Sequence, residues 1–186
     1  MSTNQQISDF IFFYPEALNK KTCDLIINYY DPAPIWKPST FYNGKETSGT
    51  SQVVMDDYWM GKPSPYFKEV ASAFANCMAD YAKISKRLQY DLQFTDFRLN
   101  RYKEGGFMNE HIDSIHHSHG QKEGYPHLTA LIFLNDDYEG GEFVICGESL
   151  KKEQGSAIVF PSNFMYPHEV KEVTKGKRFS VMTWIM

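Results

Sequence analysis

The sequence predicts an α+β fold in one domain, with a helical first half laid against a β sandwich or barrel made by the second half. Three observations predict it. The chain has 186 residues, 42% hydrophobic and 16% aromatic, which is enough apolar surface for one sizeable core. Two stretches of the first half carry apolar residues at helical spacing. From Asp91 onward the pattern changes to short runs separated by turn residues, as in all-β sandwiches and barrels.

The helices come first. Residues 15–30 place Leu18, Cys23, Leu25, Ile26, Tyr29 and Tyr30 roughly three and four apart, and Pro32 and Pro34 stop the helix. Residues 64–86 set Phe67, Val70, Ala71, Phe74, Met78, Tyr81 and Ala82 on one stripe, with Pro65 near the first turn. Both stripes are expected to cover a sheet. Between them, residues 37–62 are rich in Ser, Thr, Gly and Pro around Trp36, Tyr58 and Trp59, a composition that suits a mobile loop better than an element. That loop is either a lid or an ordinary surface connection. Residues 1–90 therefore read as helical support with a possible lid, and residues 91–186 as the core.

The candidate strands are residues 94–102, 128–134, 141–146, 156–160, 165–170 and 178–185. Turn residues at 136–140, 161–163 and 174–177 separate several of them. The strand containing His168 is expected to form a hairpin with residues 156–160.

Composition bounds the partners. The net charge is −4, with Lys and Arg scattered along the chain, so no electrostatic footprint for phosphate backbones or anionic lipid is present. Neither nucleic acid nor a membrane is an expected partner. Cys23, Cys77 and Cys146 are odd in number and form no C-x-x-C pair, so they read as buried reduced thiols. No run approaches the ~20 apolar residues of a membrane span, and residues 1–9 are polar, which makes a cytoplasmic location the expectation.

The chemistry gathers in the second half. Asn109-Glu110-His111-Ile112-Asp113 contains H-x-D. At a strand end, residues i and i+2 point to one face, so the imidazole and carboxylate converge while Ile112 faces away. A lone H-x-D is weak evidence, and a lone strand histidine such as His168 is more often a core or surface residue than a ligand. Together, two histidines and a carboxylate on one face of a metal leave its other positions open, as non-haem Fe(II) oxygenases require. Ten residues after His168 stands Arg178, which shares one strand face with Ser180, Met182 and Trp184. A guanidinium aimed into a barrel needs an anionic partner, and the free end of a metal-chelating dicarboxylate would supply one.

Several motifs stand in order: Tyr102 nine residues before His111, the H-x-D, Leu128 through Asn135, Gly140-Gly141-Glu142-Phe143, Gly155 through Pro161, His168, Arg178 and Trp184-Ile185. This order and spacing resemble the prolyl 4-hydroxylase-like branch of the Fe(II)/2-oxoglutarate dioxygenases, especially its compact bacterial and phage hydroxylases. The resemblance covers about residues 94 to 186 and implies a double-stranded β-helix, a cupin-like jelly roll, with the N-terminal helices packed on one sheet. It implies that His111, Asp113 and His168 ligate Fe(II), that Arg178 binds the distal carboxylate of 2-oxoglutarate, and that Tyr102 donates a hydrogen bond to it. Gly140 and Gly141 would form the turn before a strand starting at Glu142. The implied reaction consumes O2 and 2-oxoglutarate, with ascorbate as a possible reductant, and hydroxylates an unactivated C–H bond, favouring a peptidyl prolyl-type residue. Two departures bear on the substrate and the anchor. Arg178 stands where animal collagen-type hydroxylases carry Lys, and Phe133 where some relatives carry Tyr, which leaves Ser180 or Tyr102 to complete the carboxylate site.

Other readings compete. The tract of residues 111–120, with His116, His117 and His119, could be a zinc-binding loop, although its Ser, Gly, Gln and Lys content suits a solvated loop at the active-site mouth. Glu110 and Glu169 flank metal-ligand candidates and read as solvent-facing neighbours in preference to imidazole partners. A non-enzymatic cupin-like metal-binding domain would show the same motifs. A hydroxylase of a free amino acid or other small molecule would show them too. A nucleic-acid demethylase would carry a second Arg where Trp184 stands.

Overall fold

The computed structural model of the protein describes residues 6–39, 41–42, 47–48, 52–84, 93–113, 125–151 and 153–186. Its first half contains β1 (Phe12–Tyr14), α1 (Lys20–Tyr30), β2 (Lys37–Pro38), β3 (Phe41–Tyr42), β4 (Thr47–Ser48), β5 (Val53–Val54), β6 (Asp56–Met60) and α2 (Phe67–Ile84). The second half contains β7 (Phe97–Tyr102), β8 (Phe107–His111), β9 (Leu128–Phe133), β10 (Glu139–Gly140), β11 (Phe143–Ile145) and β12 (Glu148–Ser149). It continues with β13 (Ala157–Pro161), β14 (His168–Val170), β15 (Val173–Lys175) and β16 (Arg178–Ile185).

Two antiparallel sheets carry the molecule. The larger runs β1-β13-β9-β16-β7-β6-β2 and the smaller β12-β11-β14-β8-β5. The central strands β9, β13 and β16 are buried along almost their whole length, and because both of their faces are covered they read as largely apolar runs without alternation. Ala130, Ile132, Ala157, Val159, Phe179 and Val181 pack outward against α1 and α2 in one apolar cluster. Leu131, Phe133, Ile158, Phe160, Met182 and Trp184 point the other way and meet Phe143, Ile145 and Val170 of the smaller sheet in a second cluster. The functional cleft lies in this second layer, between the sheets.

The expected helices form with shorter ends. α1 begins after Asn19, whose side chain accepts a hydrogen bond from the Thr22 backbone N–H at 2.8 Å, an N-cap that outweighs the apolar spacing before it. Its buried stripe is Cys23, Ile26 and Tyr30, with Leu18 buried just before the cap, whereas Leu25 and Tyr29 of the expected stripe are exposed. The docking of α1 depends on Gly155, because a Cβ there would stand 2.1 Å from the Leu18 carbonyl oxygen.

Three expectations need correction. The stretch 37–62 holds strands as well as loop: β6 pairs with β7 from Asp56↔Arg101 to Met60↔Phe97, so composition concealed an edge of the large sheet. Residues 40, 43–46 and 49–51 of that stretch lie outside the described residues. The hairpin expected between the His168 strand and residues 156–160 does not form. β13 pairs with β9 and β1, and β14 pairs with β11 and β8, because residues 162–167 carry the chain across from one sheet to the other. Finally, Cys23 and Cys77 are buried free thiols, but Cys146 is exposed, in a turn where it adopts φ 51° beside Gly147. No helix among the described residues is long and apolar enough to cross a membrane.

Candidate active site

β8 and β14 are neighbours in the smaller sheet, and their register sets His111 directly opposite His168. The two rings lie 4.3 Å apart. Asp113 follows two residues after the end of β8 and enters the same space, with Oδ1 3.6 Å from His111 Nε2 and Oδ2 3.5 Å from His168 Nε2. Among the described residues these three form the group of metal-ligand side chains, with one donor atom from each within 4.8 Å of the others. Ile112 also borders the cleft, since strict strand alternation ends at His111.

Backbone carbonyls fix both imidazoles. His111 Nδ1 lies 2.9 Å from the Asn109 carbonyl oxygen and His168 Nδ1 lies 3.1 Å from that of Tyr166. Each Nδ1 donates its proton to a carbonyl, which leaves the Nε2 lone pair facing Asp113. Glu110 and Glu169 take no part in this: Glu110 is exposed and Glu169 pairs with Lys171.

Thr129 of β9 is a partner that the motifs do not name. Its hydroxyl donates to Asp113 Oδ2 at 2.6 Å and lies 2.9 Å from Ser162 Oγ, which supplies its own proton to Thr129. The signal in the sequence is a lone hydroxyl on an inward face otherwise made of Leu131 and Phe133. Burial favours the uncharged carboxyl of Asp113, but the imidazoles of His168 and His111 and the Thr129 hydroxyl outweigh it and hold the group well below the usual carboxylate range. Burial pulls His168 down to about 4, against the attraction of Asp113 and with help from His111. The triad thus presents an anionic oxygen and neutral imidazole nitrogen, the donor set of a divalent transition metal.

The second feature is Arg178. It opens β16 opposite Tyr102 and is fully buried. Nη1 donates to Ser180 Oγ at 3.1 Å, while Nε and Nη2 have no hydrogen-bond partner among the described residues. The guanidinium lies 5.1 Å from the Tyr102 ring centroid and 5.6 Å from that of Phe133. Tyr138 also approaches it, a hydroxyl concealed in the sequence by its place in a turn. Burial raises the Tyr102 and Tyr138 hydroxyls above their ordinary value despite Arg178, so both remain donors at neutral pH. A buried cation with two unused donors calls for an anion.

The triad opens into a cleft walled by Tyr102, Leu131, Phe143, Phe160, Met182 and Trp184. Arg178 stands opposite Tyr102 and two same-face positions along β16 from Met182, and both of those residues line the cleft. Gly140 and Gly141 shape the turn before β11, which starts at Phe143 and not at Glu142. Both have positive φ, and a Cβ on Gly140 would stand 2.3 Å from the Glu172 carbonyl oxygen. His116, His117 and His119 lie outside the described residues.

The family model of the 2OG-Fe(II) oxygenase superfamily matches residues 97–186. A PKHD-type hydroxylase of Rippkaea orientalis is 32% identical over 152 residues, which cover 78% of this chain and 67% of that protein. Human prolyl 3-hydroxylase 2 is 44% identical over 63 residues, 30% of this chain and 9% of that protein. The chain spans about half the length of other curated relatives it matches, 58% in one case and 41% in another. Among solved structures, a Pseudomonas putida prolyl-4-hydroxylase superposes with a TM-score of 0.71 at 17% identity, covering 95% of this chain and 91% of that one. The shared architecture is the double-stranded β-helix that the motif order implied.

Proposed function

The chain belongs to the 2OG-Fe(II) oxygenase superfamily, and from that premise we propose that it is a dioxygenase hydroxylating an unactivated C–H bond of a peptidyl prolyl-type residue. The observation that carries the proposal is the pairing of two features in one barrel: a triad of two imidazoles and a carboxylate, and a buried guanidinium with two unpartnered donors. The triad fits Fe(II), and the guanidinium fits the distal carboxylate of 2-oxoglutarate.

In this reading His111, Asp113 and His168 hold the iron, and Arg178 anchors the co-substrate, with Tyr102, Ser180 and Tyr138 as the hydroxyls around it. When bound, iron, 2-oxoglutarate and O2 supply the oxidising chemistry, with succinate and CO2 as co-products and one oxygen atom entering the substrate. The protein's part is orientation and exclusion of water. Thr129 fixes the rotation of the Asp113 carboxylate, the Asn109 and Tyr166 carbonyls hold both imidazoles in the tautomer that ligates, and Phe143, Phe160, Leu131 and Met182 keep the cleft dry. The prolyl-type assignment is supported by the likeness to prolyl 3-hydroxylase 2.

Succinate release tests the proposal. The protein is given Fe(II), ascorbate and 2-oxoglutarate, then proline-containing peptides, free amino acids or a cell lysate. Succinate stimulated by a proline peptide, with a mass gain of one oxygen on proline, is the expected result. Stimulation by a free amino acid alone would reassign the substrate. Absence of succinate under every condition would leave a metal-binding domain without turnover.

A further inference from the structure

On the inward face of β7, Arg98, Asn100 and Tyr102 follow one another at a spacing of two and all line the cleft. Tyr102 faces Arg178 across the ladder, and Arg98 is occupied by Asp57 and Ser39. Asn100 differs from both. It is 3% exposed, and its side-chain carbonyl oxygen Oδ1 is buried with no hydrogen-bond partner among the described residues. A buried acceptor without a donor is costly, and native proteins retain few of them.

Oδ1 can be satisfied only by an N–H or O–H. The proposed co-substrate cannot provide it, because 2-oxoglutarate at neutral pH offers carboxylates and a ketone, all acceptors. Ser180, across the ladder from Asn100, accepts from Arg178 Nη1 and makes no hydrogen bond to Asn100 Oδ1. Tyr102 Oη has Met108 Sδ at 3.9 Å as its neighbour. The molecule being hydroxylated is a source of such a donor that the cleft itself would receive. A prolyl nitrogen in a peptide carries no hydrogen, so the donor is an N–H of an adjacent residue.

We propose that Asn100 is a substrate-positioning residue whose side-chain carbonyl accepts a hydrogen bond from a backbone N–H of the peptide next to the target residue. This rests on the function proposed above. It gives the cleft a means of choosing a peptide over an isolated ring, since the contact lies on the main chain and not on the reacting carbon.

The test pairs an atom of the peptide with an atom of the protein. Capped proline-containing peptides are screened by succinate release, and for a responding peptide two analogues are made, each replacing one flanking amide N–H by an ester oxygen. One ester should lower kcat/KM of the parent about fivefold, the effect of one ordinary hydrogen bond. Asn100→Ala should lower kcat/KM for the amide peptide to a similar extent and show no further loss with that ester, while its melting temperature stays at or above the parent's. Asn100→Asp, which keeps an acceptor, should recover the ester sensitivity. If neither ester affects the parent, the proposal is overturned, whatever the variants do. It is equally overturned if Asn100→Ala remains as sensitive to the ester as the parent. A parent that no peptide stimulates removes the peptidyl reading and this proposal together, an outcome visible before any variant is made.

Discussion

The hydroxyl of Thr129 lies 2.6 Å from Oδ2 of Asp113, which ties strand β9 of the large sheet to the carboxylate of the triad. Thr129→Val keeps the shape of the side chain and removes the donor. Iron affinity should fall about 10- to 100-fold, the usual cost of losing an outer partner of a metal ligand. Thr129→Ser should retain most of it. Anaerobic competition titration with a chelator measures both, and an unchanged affinity in Thr129→Val would separate the hydroxyl from the metal site.

Arg178 should behave differently with and without ligand. Fe(II) and 2-oxoglutarate at ~100 times the dissociation constant should stabilise the parent by about 2.7 kcal/mol. Arg178→Ala should weaken 2-oxoglutarate binding by roughly 10- to 150-fold, corresponding to a charge-assisted bond of about 1.5 to 3 kcal/mol, and leave iron binding nearly intact. Lysine at this position should rescue in part, because it keeps the charge and loses the fork. A titration of Arg178→Ala indistinguishable from the parent would remove the anchor role.

Acid stability should depend on Arg101. Its guanidinium contacts Asp31 at the end of α1 and Asp56 of β6 at 3.0 and 2.8 Å, while Lys177 joins Asp31 and Lys103 joins Asp56. Burial opposes ionisation of both carboxyls, but these cations outweigh it and lower each from its ordinary 3.8. A carboxyl that titrates lower in the folded state gives stability that is present above its unfolded value and lost as pH falls through its folded one. Urea midpoints should therefore drop below about pH 4, and more shallowly in Arg101→Gln than in the parent. Parallel curves would show that the cluster contributes nothing to the acid limb.

The helix stripe can be checked by two adjacent truncations. Ile26 is 1% exposed and Leu25 is 42% exposed. Ile26→Ala should cost about 2 to 5 kcal/mol in denaturant unfolding and Leu25→Ala less than about 0.5. Equal costs would place α1 in a different rotation on the sheet.

The site was more legible in the sequence than the scaffold around it. H-x-D and His168 carry a chemistry that few other arrangements need, and their meeting follows once β8 and β14 pair. Strand β16 was readable to its ends because Arg178, Ser180, Met182 and Trp184 alternate with Phe179, Val181, Thr183 and Ile185 without interruption. What remained hidden depends on long-range pairing. β6 lies in a polar stretch and becomes a strand through its ladder to β7. β13 and β14 look like a hairpin because only a short turn-rich segment separates them, yet they belong to opposite sheets. Thr129 and Tyr138 carry no motif, and their partners lie 16 and 40 residues away in the chain.

The central claim is that iron is held by the triad and not by the neighbouring histidine tract. Iron bound per chain, by elemental analysis after anaerobic loading with Fe(II), tests it most directly. About one equivalent is expected for the parent, since the triad offers one set of ligands. The variant with His116, His117 and His119 all changed to Asn should retain that equivalent, and Asp113→Ala and His168→Ala should lose it. Retention of metal in Asp113→Ala, together with its loss in the triple Asn variant, would contradict the account and assign the metal to the tract.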